Sequence, residues 1–122
     1  MIGYVTIGTK DPKTAAAFYD KIAAELGAVR FMDNDRIIAW GKPGGTAGLC
    51  LARPFDGKPM TVGNGVMAAF LAKDKAQVDR IHQLALSLGG SCEGLPGERM
   101  KGFYAAYFRD PEGNKLNAFV MG

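Results

Sequence analysis

Residues 2–8 alternate apolar with small or polar side chains, the period-two pattern of a β-strand. Asp11 and Pro12 follow: an aspartate suited to cap a helix, and a proline at the first helical position, where its missing N–H costs nothing. Ala15, Phe18, Tyr19, Ile22 and Leu26 then recur on one helical face, and Gly27 ends the helix. Residues 28–32, 36–40 and 47–52 are short apolar runs. The turns Asp33-Asn34-Asp35 and Lys42-Pro43-Gly44-Gly45-Thr46 separate them. The pattern therefore predicts β-α-β-β-β over residues 1–52.

Residues 53–64 hold Pro54, Gly57, Pro59 and Gly63 and read as a linker. The same order then returns over residues 65–122. Residues 65–71 form a strand. Asp74 and Gln77 make a capping-box pattern ahead of a helix that buries Val78, Ile81, Leu84 or Ala85, and Leu88. Gly89-Gly90 stops that helix. A short strand at 91–93, a loop at 94–102 and a strand at 103–109 follow. The turn Asp110-Pro111-Glu112-Gly113-Asn114 leads into the last strand. This is an internal repeat. Lys10-Asp11 matches Lys73-Asp74, and Tyr4 and Met67 stand equally far ahead of those aspartates. Aligning the two proline-glycine turns matches Phe108 with Trp40, Tyr104 with Arg36, and Asn117 with Leu49. The fold class is α+β, one domain over 1–122 made of two βαβββ modules.

Composition narrows the function. With 48% hydrophobic and 22% charged residues, the chain is an ordinary globular protein. Its net charge of +3 comes from scattered basic residues, without the clustered charge and interleaved aromatics of a nucleic-acid surface. No charged-then-apolar leader opens the chain, and no apolar run is long enough to span a bilayer. These features predict a cytoplasmic protein without nucleic-acid or membrane partners, whose Cys50 and Cys92 are reduced thiols. Cys50, between Leu49 and Leu51, reads as a buried, inert thiol. The sole histidine, His82, falls within the second helix and reads as a helix–sheet boundary residue. Two separate cysteines and one histidine do not make a zinc site.

Two βαβββ modules, an aspartate-capped helix after each first strand, and the segment Arg109-Asp110-Pro111-Glu112-Gly113-Asn114-Lys115-Leu116 together resemble the vicinal oxygen chelate superfamily. That group contains glyoxalase I, extradiol dioxygenases, fosfomycin-resistance transferases and bleomycin-resistance binding proteins. The resemblance implies that each module curls into a half-barrel and that the two form a cup-shaped sheet with flanking helices. It also implies modules that pair across chains, hence a homodimer. It puts the family's metal-ligand positions at Tyr4, Leu49, Met67 and Asn117, where metal-using members carry mainly His, Gln or Glu.

None of these four residues brings an imidazole or carboxylate to a divalent ion. No metal or other cofactor is therefore expected. The reading is a metal-independent small-molecule binding protein with Tyr4, Trp40, Met67, Tyr104, Phe108 and Asn117 lining its site and no assigned catalytic residue. The alternative is a glyoxalase I-like lyase or dioxygenase relative whose divalent metal has moved to residues such as Asp33, Glu93 or Glu98. Arg99, Met100 and Lys101, in the predicted loop, could close on an anionic ligand. Period two does not decide which face of residues 103–109 meets the helix.

Overall fold

A computed structural model describes all 122 residues. The chain forms two compact units, Met1–Val62 and Gly63–Gly122. The first contains β1 (Tyr4–Gly8), α1 (Pro12–Leu26), β2 (Val29–Asp33), β3 (Ile37–Gly41) and β4 (Gly48–Ala52). The second contains β5 (Ala68–Leu71), α2 (Lys75–Ser87), β6 (Ser91–Met100), β7 (Phe103–Arg109) and β8 (Lys115–Met121). The sheet orders are β1-β4-β3-β2 and β5-β8-β7-β6. In each, the first strand runs parallel to the last and the other pairings are antiparallel. The fold is α+β with two unclosed, mixed four-stranded sheets, each carrying one helix, as the repeated pattern predicts.

Local chemistry sets each helix. The Asp11 carboxylate accepts from Lys13 N at 3.2 Å and from the Thr14 hydroxyl at 2.8 Å. Gly27, at φ 77°, closes α1 in the left-handed region. The Asp74 carboxylate accepts from Gln77 N at 2.8 Å, and the Gln77 side chain reaches back to Lys73 N at 2.8 Å. This is the capping box with its return bond shifted by one residue. In α1 the buried face is Ala16, Phe18, Tyr19, Ile22 and Ala23. In α2 it is Val78, Ile81, His82 and Ala85. Ala85, not Leu84, is the buried member of the pair the sequence left open.

Each helix covers one face of its sheet. Ile38, Trp40, Leu49 and Leu51 of the first sheet are buried on the α1 side. Phe108, Ala106, Leu116 and Ala118 of the second are buried on the α2 side. Alternation leaves the other face of each sheet free of helix. Residues 53–67 form no helix or strand. Part of this segment turns back on the first unit, where Met60 lies against Gly8.

Two sequence expectations are corrected. Residues 94–100, read as loop, belong to the ten-residue strand β6. Pro96 is tolerated because β6 is an edge strand, and bulges absorb the glycines. The match of Asn117 with Leu49 is displaced by one residue. Thr6 pairs with Cys50 as Ala69 pairs with Asn117, so Asn117 corresponds to Cys50. The β3–β4 loop, 42–47, is one residue longer than the β7–β8 loop, 110–114. In a strand a one-residue slip moves every side chain to the opposite face.

Candidate functional site

The β7–β8 turn fixes the geometry of the second sheet's open face. The Asp110 carboxylate accepts from Glu112 N at 2.9 Å, Asn114 N at 3.0 Å and Asn114 Nδ2 at 2.9 Å. Arg109 donates Nη1 to the Gly113 carbonyl at 2.9 Å and Nε to Glu93 at 2.6 Å. The arginine braces the turn from outside while the aspartate holds it from within. The register that results sets Tyr107 directly across from Asn117.

Asn117 is 1% exposed, and its Oδ1 has no hydrogen-bond partner. It is the single buried side-chain polar atom left in that state. An unmet buried acceptor costs about 1–3 kcal/mol, so packing alone does not account for an amide here. Its neighbours on the open face are Ala69 and Tyr107 across the two ladders, and Lys115 and Phe119 along its own strand. The Tyr107 ring carries two cations, with the Arg99 guanidinium 5.3 Å and the Lys115 ammonium 5.7 Å from its centroid. Arg99 lies along β6, where side chains at Gly94 and Gly97 would meet it at 3.0 Å. It also donates to the Leu95 carbonyl at 2.6 Å. Further along the face, Phe103 and Phe119 stack with centroids 5.5 Å apart.

The open face of the first sheet is neutral. Tyr4, 65% exposed, pairs with Gly48, and Gly48 with Gly41. The exposed Phe31 ring lies over these two glycines, so a Cβ at Gly48 would meet it at 3.0 Å. Thr6 and Cys50 form the next row. Burial raises the Cys50 thiol pKa, partly offset by a hydrogen bond with Thr6, so the sulfur stays protonated at neutral pH.

The six residues expected to line a site divide between faces. Tyr4 stands on the open face of the first sheet, Asn117 on that of the second, and Met67 just ahead of β5, exposed. Trp40 lies on the helix-covered face of the first sheet, and Tyr104 and Phe108 on that of the second, the face opposite to Asn117. Trp40 packs on Tyr19 with centroids 5.5 Å apart and donates Nε1 to Asp20 at 2.8 Å. Phe108 is fully buried against His82. Tyr104 donates to Asp79 at 2.6 Å, which raises its pKa, and lines an open groove of about 210 Å³ with Asp74, Lys75 and Glu98. The expectation that Tyr104 and Phe108 share a face with Asn117 is therefore corrected: β7 turns Tyr107, not Tyr104 or Phe108, to the open side, and Trp40 is buried beneath α1 in its own unit. Tyr107, Lys115 and Phe31 went unassigned by sequence reasoning, and Arg99, expected in a loop that closes on an anionic ligand, stands instead on strand β6. Once Asn117 is fixed to the open face, period two selects Tyr107.

His82 is buried, and desolvation lowers its pKa, with Asp79 partly opposing the shift. The ring is neutral at pH 7, with Nε2 3.3 Å from Cys92 Sγ. Both cysteines are free thiols, Cys50 buried and Cys92 exposed. The carboxylates suggested for a relocated metal are engaged elsewhere: Asp33 with Arg30 at 2.8 Å, Glu93 with Arg109, and Glu98 with Gly102 N at 3.3 Å. No three His, Cys, Asp or Glu residues are grouped so as to hold a metal ion.

The profile of the glyoxalase/bleomycin resistance protein/dioxygenase superfamily matches residues 1–118. The chain belongs to that superfamily. A glyoxalase/bleomycin resistance protein from Albidiferax ferrireducens T118 is 33% identical, with a TM-score of 0.87 over 98% of this chain and 97% of that one. Two more distant structures share the fold. A glyoxalase/bleomycin resistance protein/dioxygenase family enzyme from Burkholderia phytofirmans PsJN is 20% identical, with a TM-score of 0.80 over 98% of each chain. Lactoylglutathione lyase from Agrobacterium tumefaciens is 24% identical, with a TM-score of 0.71 over 98% of this chain and 92% of that one. Among curated proteins, none matches significantly. No helix is long and apolar enough to cross a membrane.

The superfamily implies a divalent metal, and the residues present do not fit one. With the register corrected, the four positions are Tyr4, Cys50, Met67 and Asn117: a phenol, a desolvated thiol, a thioether and a neutral amide. None is a carboxylate or imidazole.

Proposed function

We propose that this superfamily member is a metal-independent small-molecule binding protein of the bleomycin-resistance type. The observation that carries the reading is the donor set just described, on a scaffold whose sheets keep a helix-free face. Exposed aromatic and apolar side chains on those faces, with a few placed polar groups, suit a small-molecule surface. Cytoplasmic location belongs to the same reading and is supported by the two free thiols.

A homodimer is also part of the proposal. β1 and β5 are outer strands of their sheets, each with one unpaired ladder edge, and Tyr4 and Leu71 on them are 65% and 63% exposed. Edges and apolar patches of this kind favour association. Light scattering on the eluting protein should give twice the chain mass, and a monomer at micromolar concentration would remove this part.

Metal content after purification without chelator tests the main reading. Divalent ion should be found well below one per chain, and zinc, nickel, manganese or iron(II) should not raise the melting temperature. A stoichiometric ion would overturn it in favour of a lyase or dioxygenase relative.

A further inference from the structure

We propose that the open face of the second sheet binds a small carboxylate that also carries a hydrogen-bond donor, such as a hydroxyl. This rests on the small-molecule reading above and names the chemistry of the ligand. Three independent observations converge on one patch of β6–β8. The first is charge. Arg99 and Lys115 flank the Tyr107 ring, and neither makes an ion pair with a carboxylate. Arg109 on the same face is neutralised by Glu93, so the patch carries two uncompensated cations. An anion reaching both replaces weak ring contacts with charge-assisted hydrogen bonds.

The second observation is the unmet acceptor. Asn117 Oδ1 is buried and unpartnered immediately beside Tyr107. A hydroxyl or amide N–H on the ligand satisfies it, and a ligand without a donor leaves it unmet. The third is approach. Ala69, the residue paired with Asn117 on the outer strand β5, is small and exposed, so the cross-strand neighbour on that side presents only a methyl group. Lys115, the other flank, is a flexible side chain held by a ring contact alone.

The carboxylate is thus assigned to Arg99 and Lys115, the donor to Asn117, and apolar parts of the ligand to Phe103 and Phe119. Nothing in this arrangement breaks or forms a bond in the ligand. The site holds an acid and tells it apart from its neutral and cationic analogues.

The test uses the intact chain and four probes: 3-phenyllactate, its neutral amide, 3-phenylpropionate without the hydroxyl, and phenethylamine as the cation. Amide chemical-shift titrations report both affinity and location. Phenyllactate should saturate with shifts centred on Arg99, Tyr107 and Asn117, about tenfold tighter than its amide or phenylpropionate. Phenethylamine should leave these residues unmoved. Arg99→Gln and Lys115→Gln should each weaken phenyllactate about tenfold, and Asn117→Leu should abolish its advantage over phenylpropionate. Equal or tighter binding of the amide or the amine on this face overturns the carboxylate assignment while leaving small-molecule binding intact. Saturation by phenyllactate elsewhere on the protein also overturns it. If none of the four probes binds at millimolar concentration, the carboxylate assignment falls; if a neutral and cationic fragment set also fails, the small-molecule reading falls with it.

Discussion

The two units share one backbone plan and almost no surface chemistry. The row Tyr4, Gly48, Gly41 of the first sheet corresponds to Met67, Lys115, Arg109 of the second, and Thr6 and Cys50 correspond to Ala69 and Asn117. The first unit leaves its row bare of charge and lays Phe31 across the glycines. The second fills it with cations and places a buried amide behind them. On the helix side the correspondence is closer. Tyr19 packs on Trp40 where His82 packs on Phe108. The repeat conserves what supports the sheet and varies what the open face offers, so the helix-covered aromatics build the core and the chemistry is read from the other side.

The turns give the widest contrast. The β7–β8 turn depends on one carboxylate with three donors, whereas in the β3–β4 turn Gly45 N bonds the Lys42 carbonyl. Asp110→Ala should lower unfolding free energy by about 2–4 kcal/mol, since buried donors lose their acceptor. Lys42→Ala should stay within about 0.5 kcal/mol of the parent. Urea midpoints of the two variants check this, and equal losses would erase the distinction.

The facing rows differ next. At Gly48 a new Cβ meets the Phe31 ring at 3.0 Å and the Trp40 carbonyl at 3.1 Å. Gly48→Val should therefore cost about 1–3 kcal/mol through overpacking. Lys115→Val, at the corresponding place, should cost less than about 0.5 kcal/mol in the absence of ligand. Chemical denaturation of both would show whether the bare row of the first unit is a packing requirement.

A smaller difference is titratable. His82 has a depressed pKa in the folded chain because burial disfavours its charge. The unfolded chain then binds the proton more readily, so stability falls as pH drops below the ordinary histidine value of about 6.5. His82→Gln should lose less stability than the parent between pH 7.5 and pH 5.5. Tyr19→Phe in the first unit should lose as much as the parent. If the His82 variant follows the parent curve, His82 is not the group responsible.

Much of this architecture was legible in the sequence. Both aspartate caps, the helix faces and the proline-glycine turns are local features, and local rules suffice for them. The site was less legible for two physical reasons. Period two assigns partners to faces but does not name the face, so Tyr104 and Phe108 could not be separated from Tyr107 without knowing that His82 and Asp79 lie on the helix side. The match of Asn117 to Leu49 failed because a single extra loop residue inverts a strand's facing. Pro96 and Gly97 suggested a loop because an edge strand's tolerance for them depends on which strand pairs with which.

The central claim is that Asn117 is kept for what it binds and not for what it supports. Equilibrium unfolding of Asn117→Leu without ligand tests this most directly. Leucine is close in shape and removes an acceptor that has no partner, so the variant should be as stable as the parent or more stable by up to about 1 kcal/mol. A loss of about 1–3 kcal/mol, the cost of removing an amide that serves the fold, would contradict the account.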